Sequence, residues 1–420
     1  MTLVAHAAAR VVTCDPLRAS ANDLLGVIER GAILIEGQRI KWVGARSELP
    51  PDAAVIDHGD VVLTPGLIDA HTHACWSGSR HGEYAVRMAG GDYEAIAQAG
   101  GGIVSTHRAV AQASGRSLVS DLSRRLRRMA SLGVTTVEVK SGYGLEPDLE
   151  RKQLRAIRET ALDLSLPHVV PTFLGLHALP PASRAHRVDY VRRVADELVP
   201  EVAEQGLAQF VDAYVDRDAF QVSEARIVFE AARRASLGIR VHAGQFHDVG
   251  GAELAAEFGA ASVDHVEHIG LEGIARLAAS KVPAVLLPIA SFTLVQPPPP
   301  IAEMRAAGVQ LVVASDANPG TAPTESLPLA MAFAVRAYGL SPAEAILATT
   351  RYAAASLHRF GEHVGTRVPR GALVAGCAAD FVIWRLPHEY AIIQPWGVSK
   401  TRLVVRDGRV LYDGASDATG

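Results

Sequence analysis

Between residues 127 and 315 one cadence recurs: an amphipathic helix, a glycine, and a short β-branched run. It reads RRMASLGVTTVEV (127–139), AARRASLGIRVHA (231–243), AAEFGAASVDHVEH (255–268) and AEMRAAGVQLVVAS (302–315). In each, Gly133, Gly238, Gly259 or Gly308 stands where a helix end calls for a left-handed residue. Strands alternating with helices at this interval build right-handed βαβ units around a parallel sheet. Apolar runs near 62–70, 134–139, 168–174, 209–215, 239–243, 263–266, 283–287 and 311–315 supply the strands of a (β/α)8 barrel of the α/β class. The alternative, an open doubly wound sheet, lacks a GxGxxG turn after its first strand.

The two ends follow a different grammar. GAILIEGQRIKWVG (31–44) and TRLVVRDGRVLYDG (401–414) are alternating strands joined by Glu-Gly-Gln-Arg and Arg-Asp-Gly-Arg turns, which are hairpin signals. The economical arrangement is a small β-sandwich built from residues 1–60 and 365–420 beside a catalytic barrel over 61–364. The Pro297–Pro300 run reads as a stiff loop.

Composition narrows the class further. A hydrophobic share of 49% against 20% charged residues over 420 positions fills a large core and excludes wholesale disorder. A net charge of −4 leaves no basic footprint for nucleic acid. The cysteines Cys14, Cys75 and Cys377 are too few and too scattered for a disulfide framework and suit a reducing compartment. The first residues do not form a signal peptide, and the longest apolar stretch, 282–295, is broken by Pro288 and too short to span a membrane. A soluble cytoplasmic protein is expected.

Barrel enzymes carry their reactive groups at the C-terminal ends of the strands. After the first strand comes Asp69-Ala70-His71-Thr72-His73, and on an extended chain alternate residues share a side, so His71 and His73 can share one metal. After the fifth strand comes His242, after the sixth His265 and His268, and after the eighth Asp316. Three histidines and a carboxylate from such a set suit Zn²⁺ or Fe²⁺ with a position open for water. A second ion needs a bridging ligand, often a modified lysine ending the fourth strand. That strand ends Tyr214-Val215-Asp216, and Lys140 ends the second, so one divalent ion is expected.

The segment TPGLIDAHTHACWSGSR resembles the amidohydrolase superfamily, and the blocks around it narrow the resemblance to the imidazolonepropionases of histidine degradation. Those blocks are GSRHGEY (78–84), AGGGIVST (99–106), EVKSGYGLE (138–146), TFLGLHALP (172–180), VHAGQF (241–246), GGAELAAEFGA (250–260), DHVEH (264–268) and SDANPGTAP (315–323). The resemblance spans residues 30–410 and implies His71, His73, His242 and Asp316 as metal ligands. It implies substrate contacts from Arg80, Tyr143, His177, Gln245, Asn318, Gly320 and Thr321, a homodimer, and 4-imidazolone-5-propanoate as the small-molecule substrate. Each contact is sound in kind, since a guanidinium grips a carboxylate tail in a fork and Tyr143 and His177 are loop donors above neighbouring strands.

Gln245 stands three residues after a metal ligand, where deaminating relatives carry a glutamate. A glutamine moves no proton, so it orients substrate and argues against deamination. The chain departs from the family pattern at Gly244, His268 and Ala317, where an aspartate, a tyrosine and a bulkier residue are usual. Gly100-Gly101-Gly102 lacks the Gly-Lys-Ser/Thr of a phosphate cradle and reads as a loop near the site. No G-x-S-x-G elbow surrounds Ser77 or Ser79, and Cys75 reads as a buried neighbour rather than a nucleophile.

The expected reaction is opening of the ring amide to N-formimidoyl-L-glutamate, with Asp316 accepting the proton of the attacking water. His265 stabilises the tetrahedral oxygen or relays that proton; which of the two is the formal base stays open. Two alternatives remain at this level: another mononuclear amidohydrolase acting on a carboxylate-bearing cyclic amide or peptide-like substrate, and a metal-binding barrel without catalysis.

Overall fold

The computed structural model describes residues 3–90, 101–394 and 396–414. Gly100 and the outermost positions of the expected end domain, 1–2 and 415–420, lie outside the described residues. The chain opens with β1 (Leu3–Val12), β2 (Val27–Glu36), β3 (Arg39–Ala45), β4 (Ala54–Asp57) and β5 (Val62–Pro65). The next eight strands are β6 (Leu67–Asp69), β7 (Val134–Lys140), β8 (His168–Leu176), β9 (Phe210–Val215), β10 (Gly238–Ala243), β11 (Ser262–His265), β12 (Ala284–Leu286) and β13 (Leu311–Val313). The chain ends with β14 (Phe381–Trp384), β15 (Thr401–Arg406) and β16 (Arg409–Asp413).

Both ends join in one mixed sheet ordered β16-β15-β14-β5-β1-β2-β3, with β4 alongside β1. The two hairpins turn where the sequence places them, with Glu36 opposite Arg39 and Arg406 opposite Arg409. Alternate residues of this sheet, among them Val11, Ile33, Ile40, Leu63 and Phe381, form a core of their own.

Strands β6 to β13 pair in chain order as a parallel sheet that curls into the barrel. The seam between its first and last strands is closed just beyond them. The backbone amide of Asp316 donates to the His71 carbonyl at 3.1 Å and that of His73 to the Ala317 carbonyl at 3.1 Å. Below, the Asp69 carboxylate accepts from the amide (3.0 Å) and hydroxyl (2.5 Å) of Ser315. The barrel therefore shuts at the residues that the sequence marks for chemistry.

The helices bury faces spaced by three and four residues. Gly115–Ser131, capped by the Ser114 side chain, buries Leu118, Leu122, Arg125, Leu126 and Met129. Arg125 donates to the carbonyls of Ala74 (3.0 Å) and Trp76 (2.8 Å) and lies over the Trp76 ring, which pins the loop leaving His73.

Two local expectations are corrected. The run 62–70 is two strands rather than one. β5 pairs with β1 and β14 in the end sheet, and the chain crosses at Gly66 to begin the barrel with β6. Gly66 permits the crossing because a Cβ there would meet Thr135 Oγ1 at 2.1 Å. The second correction concerns the helix ends. Gly133, Gly259 and Gly308 are left-handed as expected, but in the second repeat Ser236 takes that conformation and Gly238 starts β10. There the missing side chain makes room for the Phe210 ring, 2.4 Å from where a Cβ would sit.

A methyl group at the crossing has nowhere to go. Gly66→Ala should destabilise the protein by about 1–3 kcal/mol, the usual range for overpacking. Urea unfolding reads this directly, and an unchanged midpoint would refute the tight crossing.

Candidate active site

At the barrel mouth, the segment that continues β6 past Asp69 carries His71 and His73, with ring centroids 5.3 Å apart. Asp316 Oδ1 lies 3.5 Å from the Nε2 of each, and His73 Nε2 lies 3.4 Å from His242 Nε2. Donors about 2.1 Å from a tetrahedral ion lie about 3.4 Å from one another, so these spacings fit a metal. His71 Nε2 and Asp316 Oδ1 are buried and without a hydrogen-bond partner among the described residues. His265 stands beside them, with a nitrogen within 4.8 Å of those of His71 and His242.

The layer beneath was not anticipated from sequence. Asp264 Oδ2 lies 2.6 Å from His71 Nδ1, and Asp212 Oδ1 lies 3.0 Å from His242 Nδ1. An ionised carboxylate only accepts, so each imidazole donates Nδ1–H and turns an Nε2 lone pair toward the donor centre. Asp212 is shared with Lys140, whose ammonium donates to Asp212 Oδ2 and Glu138 Oε1, both at 2.8 Å. Arg240 donates to Asp264 at 3.2 Å. These five charged side chains are all fully buried.

The electrostatics follow from that packing. Burial, together with Lys140 and the neighbouring rings, holds His71 and His242 well below the usual imidazole range, as burial and His177 do for His73. All three are neutral, the form that ligates. Burial pushes Lys140 down, but Asp212 and Glu138 outweigh it and keep the ammonium charged. Burial lifts the Asp316 carboxyl to about 7, against the pull of His265 and Asn318. His265 is lowered by burial but carried above its usual range by Glu267.

A pocket above the donors is lined by His73, Arg80, Tyr143, His177, His242, Gln245, His265, Asp316, Asn318 and Thr321. Tyr214, Phe246, Leu294 and Ile103 complete its wall and were not singled out from sequence. Arg80 is buried, its Nε donating to Glu83 at 2.8 Å. The Tyr143 loop is held by Gln153, which accepts from the amides of Tyr143 and Gly144, both at 3.1 Å. The His177 ring is fixed through Nδ1, 2.7 Å from the Gly142 carbonyl, and stacks on His73.

Two expected contacts, Gly320 and Asn318, sit differently from the others. Gly320 is not part of the lining; a Cβ there would lie 2.3 Å from an Arg80 nitrogen, so its bareness makes room for the guanidinium. Asn318 reaches the pocket, but its amide serves its own turn, accepting from the amides of Gly320 and Thr321 (both 2.8 Å) and donating to the Asp316 carbonyl (2.7 Å). His268 lies in the turn after β11 and is absent from the lining. Cys75 is buried, its thiol pushed up to about 12 by burial, which is unsuited to a nucleophile.

Fold and site together define a metal-dependent hydrolase of the barrel type. Residues 62–411 match the amidohydrolase family. Solved structures show the same fold: E. coli guanine deaminase superposes with a TM-score of 0.71 at 16% identity, covering 98% of this chain and 100% of that one. Atrazine chlorohydrolase TrzN from Arthrobacter aurescens TC1, complexed with zinc, gives 0.66 at 18% identity, covering 98% and 95%. Two curated relatives, both imidazolonepropionases, are far nearer in sequence. That of Polaromonas sp. (strain JS666 / ATCC BAA-500) is 42% identical over 387 residues, 91% of this chain and 89% of the relative. That of Geobacillus kaustophilus (strain HTA426) is 40% identical over 405 residues, 95% and 94%. The chain belongs to the amidohydrolase family and, within it, to the imidazolonepropionases.

Two outcomes are expected for the donor set. Asp212→Asn leaves His242 without its carboxylate and should weaken zinc binding about 10–100-fold in a chelator competition; unchanged affinity would remove Asp212 from any supporting role. In the metal-free protein Asp316 holds a proton below about 7, and binding must displace it. Apparent zinc affinity should therefore fall about tenfold per pH unit below that value and level off above it. A flat profile from pH 5.5 to 8 would exclude Asp316 as a ligand.

Proposed function

We propose that this pocket hydrolyses the ring amide of 4-imidazolone-5-propanoate to N-formimidoyl-L-glutamate, a step of histidine degradation. One observation carries the reading: donor atoms spaced 3.4–3.5 Å apart open onto a pocket whose wall includes a buried arginine. The names of the two relatives point the same way. His71, His73, His242 and Asp316 hold one divalent ion, zinc or iron, and Lys140 bridges no second one because Glu138 and Asp212 already engage it. When bound, such an ion lowers the pKa of a water toward about 7 and polarises a carbonyl.

The remaining work falls to the protein's own groups. Arg80, its plane set by Glu83, receives the propanoate in a charge-assisted fork. Tyr143 donates to the tail or ring. His177, its Nδ1–H given to the Gly142 carbonyl and its ring neutral, offers Nε2 as an acceptor and not the donor expected from sequence. Gln245 orients the ring without moving a proton. Asn318 and Thr321 form the rim, and Gly320 keeps the place of Arg80 open. Asp316 accepts the proton of the attacking water. His265 stabilises the tetrahedral oxygen or relays that proton. In this reading the barrel beyond the Gly66 crossing, to about residue 364, carries the chemistry, and the end sheet, which takes in β5 besides the expected 1–60 and 365–420, forms the accessory part. We also propose a cytoplasmic homodimer; among the described residues no helix is long and apolar enough to cross a membrane.

Substitution of the arginine separates substrate from reaction class. Arg80→Met should raise KM about ten- to a hundredfold, the loss of a contact worth roughly 1.5–3 kcal/mol. An imidazolone without the carboxylate should be a poor substrate of the wild type and change little on mutation. Equal harm to both substrates would make Arg80 structural, and a wild type that prefers the tail-less ring would overturn the substrate. Metal analysis should return one ion per chain, and chelation should remove it together with activity.

A further inference from the structure

Behind His265 lies a row of buried polar groups to which the reaction above gives no part. His265 ends β11 with φ +85° and Val266 follows at +65°. Left-handed residues of this kind cost about 1–3 kcal/mol each and persist where the surroundings impose them. Across this bend His265 Nδ1 faces Glu267 Oε2 at 3.7 Å. Both atoms are buried, and neither has a hydrogen-bond partner among the described residues. The other oxygen, Glu267 Oε1, accepts from the Ser291 hydroxyl at 2.5 Å, and Ser291 Oγ accepts in turn from the Tyr338 hydroxyl at 2.7 Å.

A carboxylate buried without a lysine or arginine against it is costly to keep, and stability alone does not explain it. The neighbouring strands use a carboxylate behind a histidine twice, Asp264 on His71 and Asp212 on His242, and there it fixes the ring. We infer that Glu267 is a positioning residue for His265: it takes the Nδ1 edge of the ring, across a gap that a small side-chain rotation closes, and presents Nε2 to the reacting centre. Ser291 and Tyr338 hold the carboxylate in register. What Nε2 does there rests on the functional reading above; the pairing itself does not.

The test is a double-mutant cycle on the metal-loaded, full-length protein with 4-imidazolone-5-propanoate. Glu267→Gln should lower kcat at least tenfold while KM and metal content stay at wild-type values. Ser291→Ala and Tyr338→Phe should give progressively smaller losses. In a His265→Ala background Glu267→Gln should change kcat less than twofold, because the ring it positions is gone. An equal loss in both backgrounds, or full activity of Glu267→Gln, would overturn the inference. If Glu267→Gln does not fold, Ser291→Ala in the two backgrounds decides the same question. A second readout needs no substrate: ¹⁵N-histidine NMR should show His265 Nδ1 protonated and hydrogen-bonded in the wild type and that hydrogen bond weakened in Glu267→Gln, and an unchanged Nδ1 signal would count against the pairing. A wild type that leaves the imidazolone intact would sink the substrate reading alone, since the NMR arm still decides the dyad.

Discussion

The site depends on one buried ammonium. Lys140 joins Glu138 to Asp212 inside the barrel, and Arg240 does the same for Asp264. Without Lys140, the adjacent carboxylates in a dry interior would take up protons, and Asp212 would no longer be a pure acceptor for His242. Against burial, Arg240 and Lys140 hold Asp264 below the usual carboxylate range, and Lys140 pulls against the burial that raises Asp212. The two carboxylates fix which nitrogen His71 and His242 present. Such a lattice is a poor source of net stability, because desolvation cancels most of the attraction. Its contribution is orientation.

Much of this was legible in the sequence, and the limits are physical. The glycine-punctuated repeats revealed the parallel strands, because helix termination and β-branched runs are local properties. The donor positions were legible because alternation on an extended chain and the rule about strand ends fix where side chains go. The crossing at Gly66 was not, since an apolar run carries no mark of which sheet it joins. Asn318 drew attention as a ligand-facing amide, yet its geometry is that of a turn residue. The charged layer did leave a trace. VEVK, FVDAY, IRVHA and SVDH each place a charge at an inward position of a strand that ordinarily reads as apolar throughout. A charge recurring there on four of five successive strands, β8 being the exception, signals a buried network, and Lys140 belongs to it.

The strained backbone lies at the same level. His265, Val266 and Asp316 all have positive φ, and the two residues proposed to handle the proton, Asp316 and His265, are among them. The amide of Asp316 is tied to the His71 carbonyl and that of Val266 to the Ala243 carbonyl, so neighbouring strands hold both bends. The site is therefore as rigid as the barrel seam that it closes.

The passage at Gly66 also dictates an order of events. β5 finds its partner in β14, more than 300 residues along the chain, and β6 follows it after a single glycine. During synthesis the start of the barrel is tethered to a strand that already has β1 on one side but whose other neighbour has not yet emerged from the ribosome. Middle strands pair with sequence neighbours and can assemble early; the seam that sets His71 and His73 against Asp316 must wait for residue 316 of 420. A nascent protein thus carries most of its hydrophobic barrel before it has a place for an ion, and metal capture belongs to the last moments of folding.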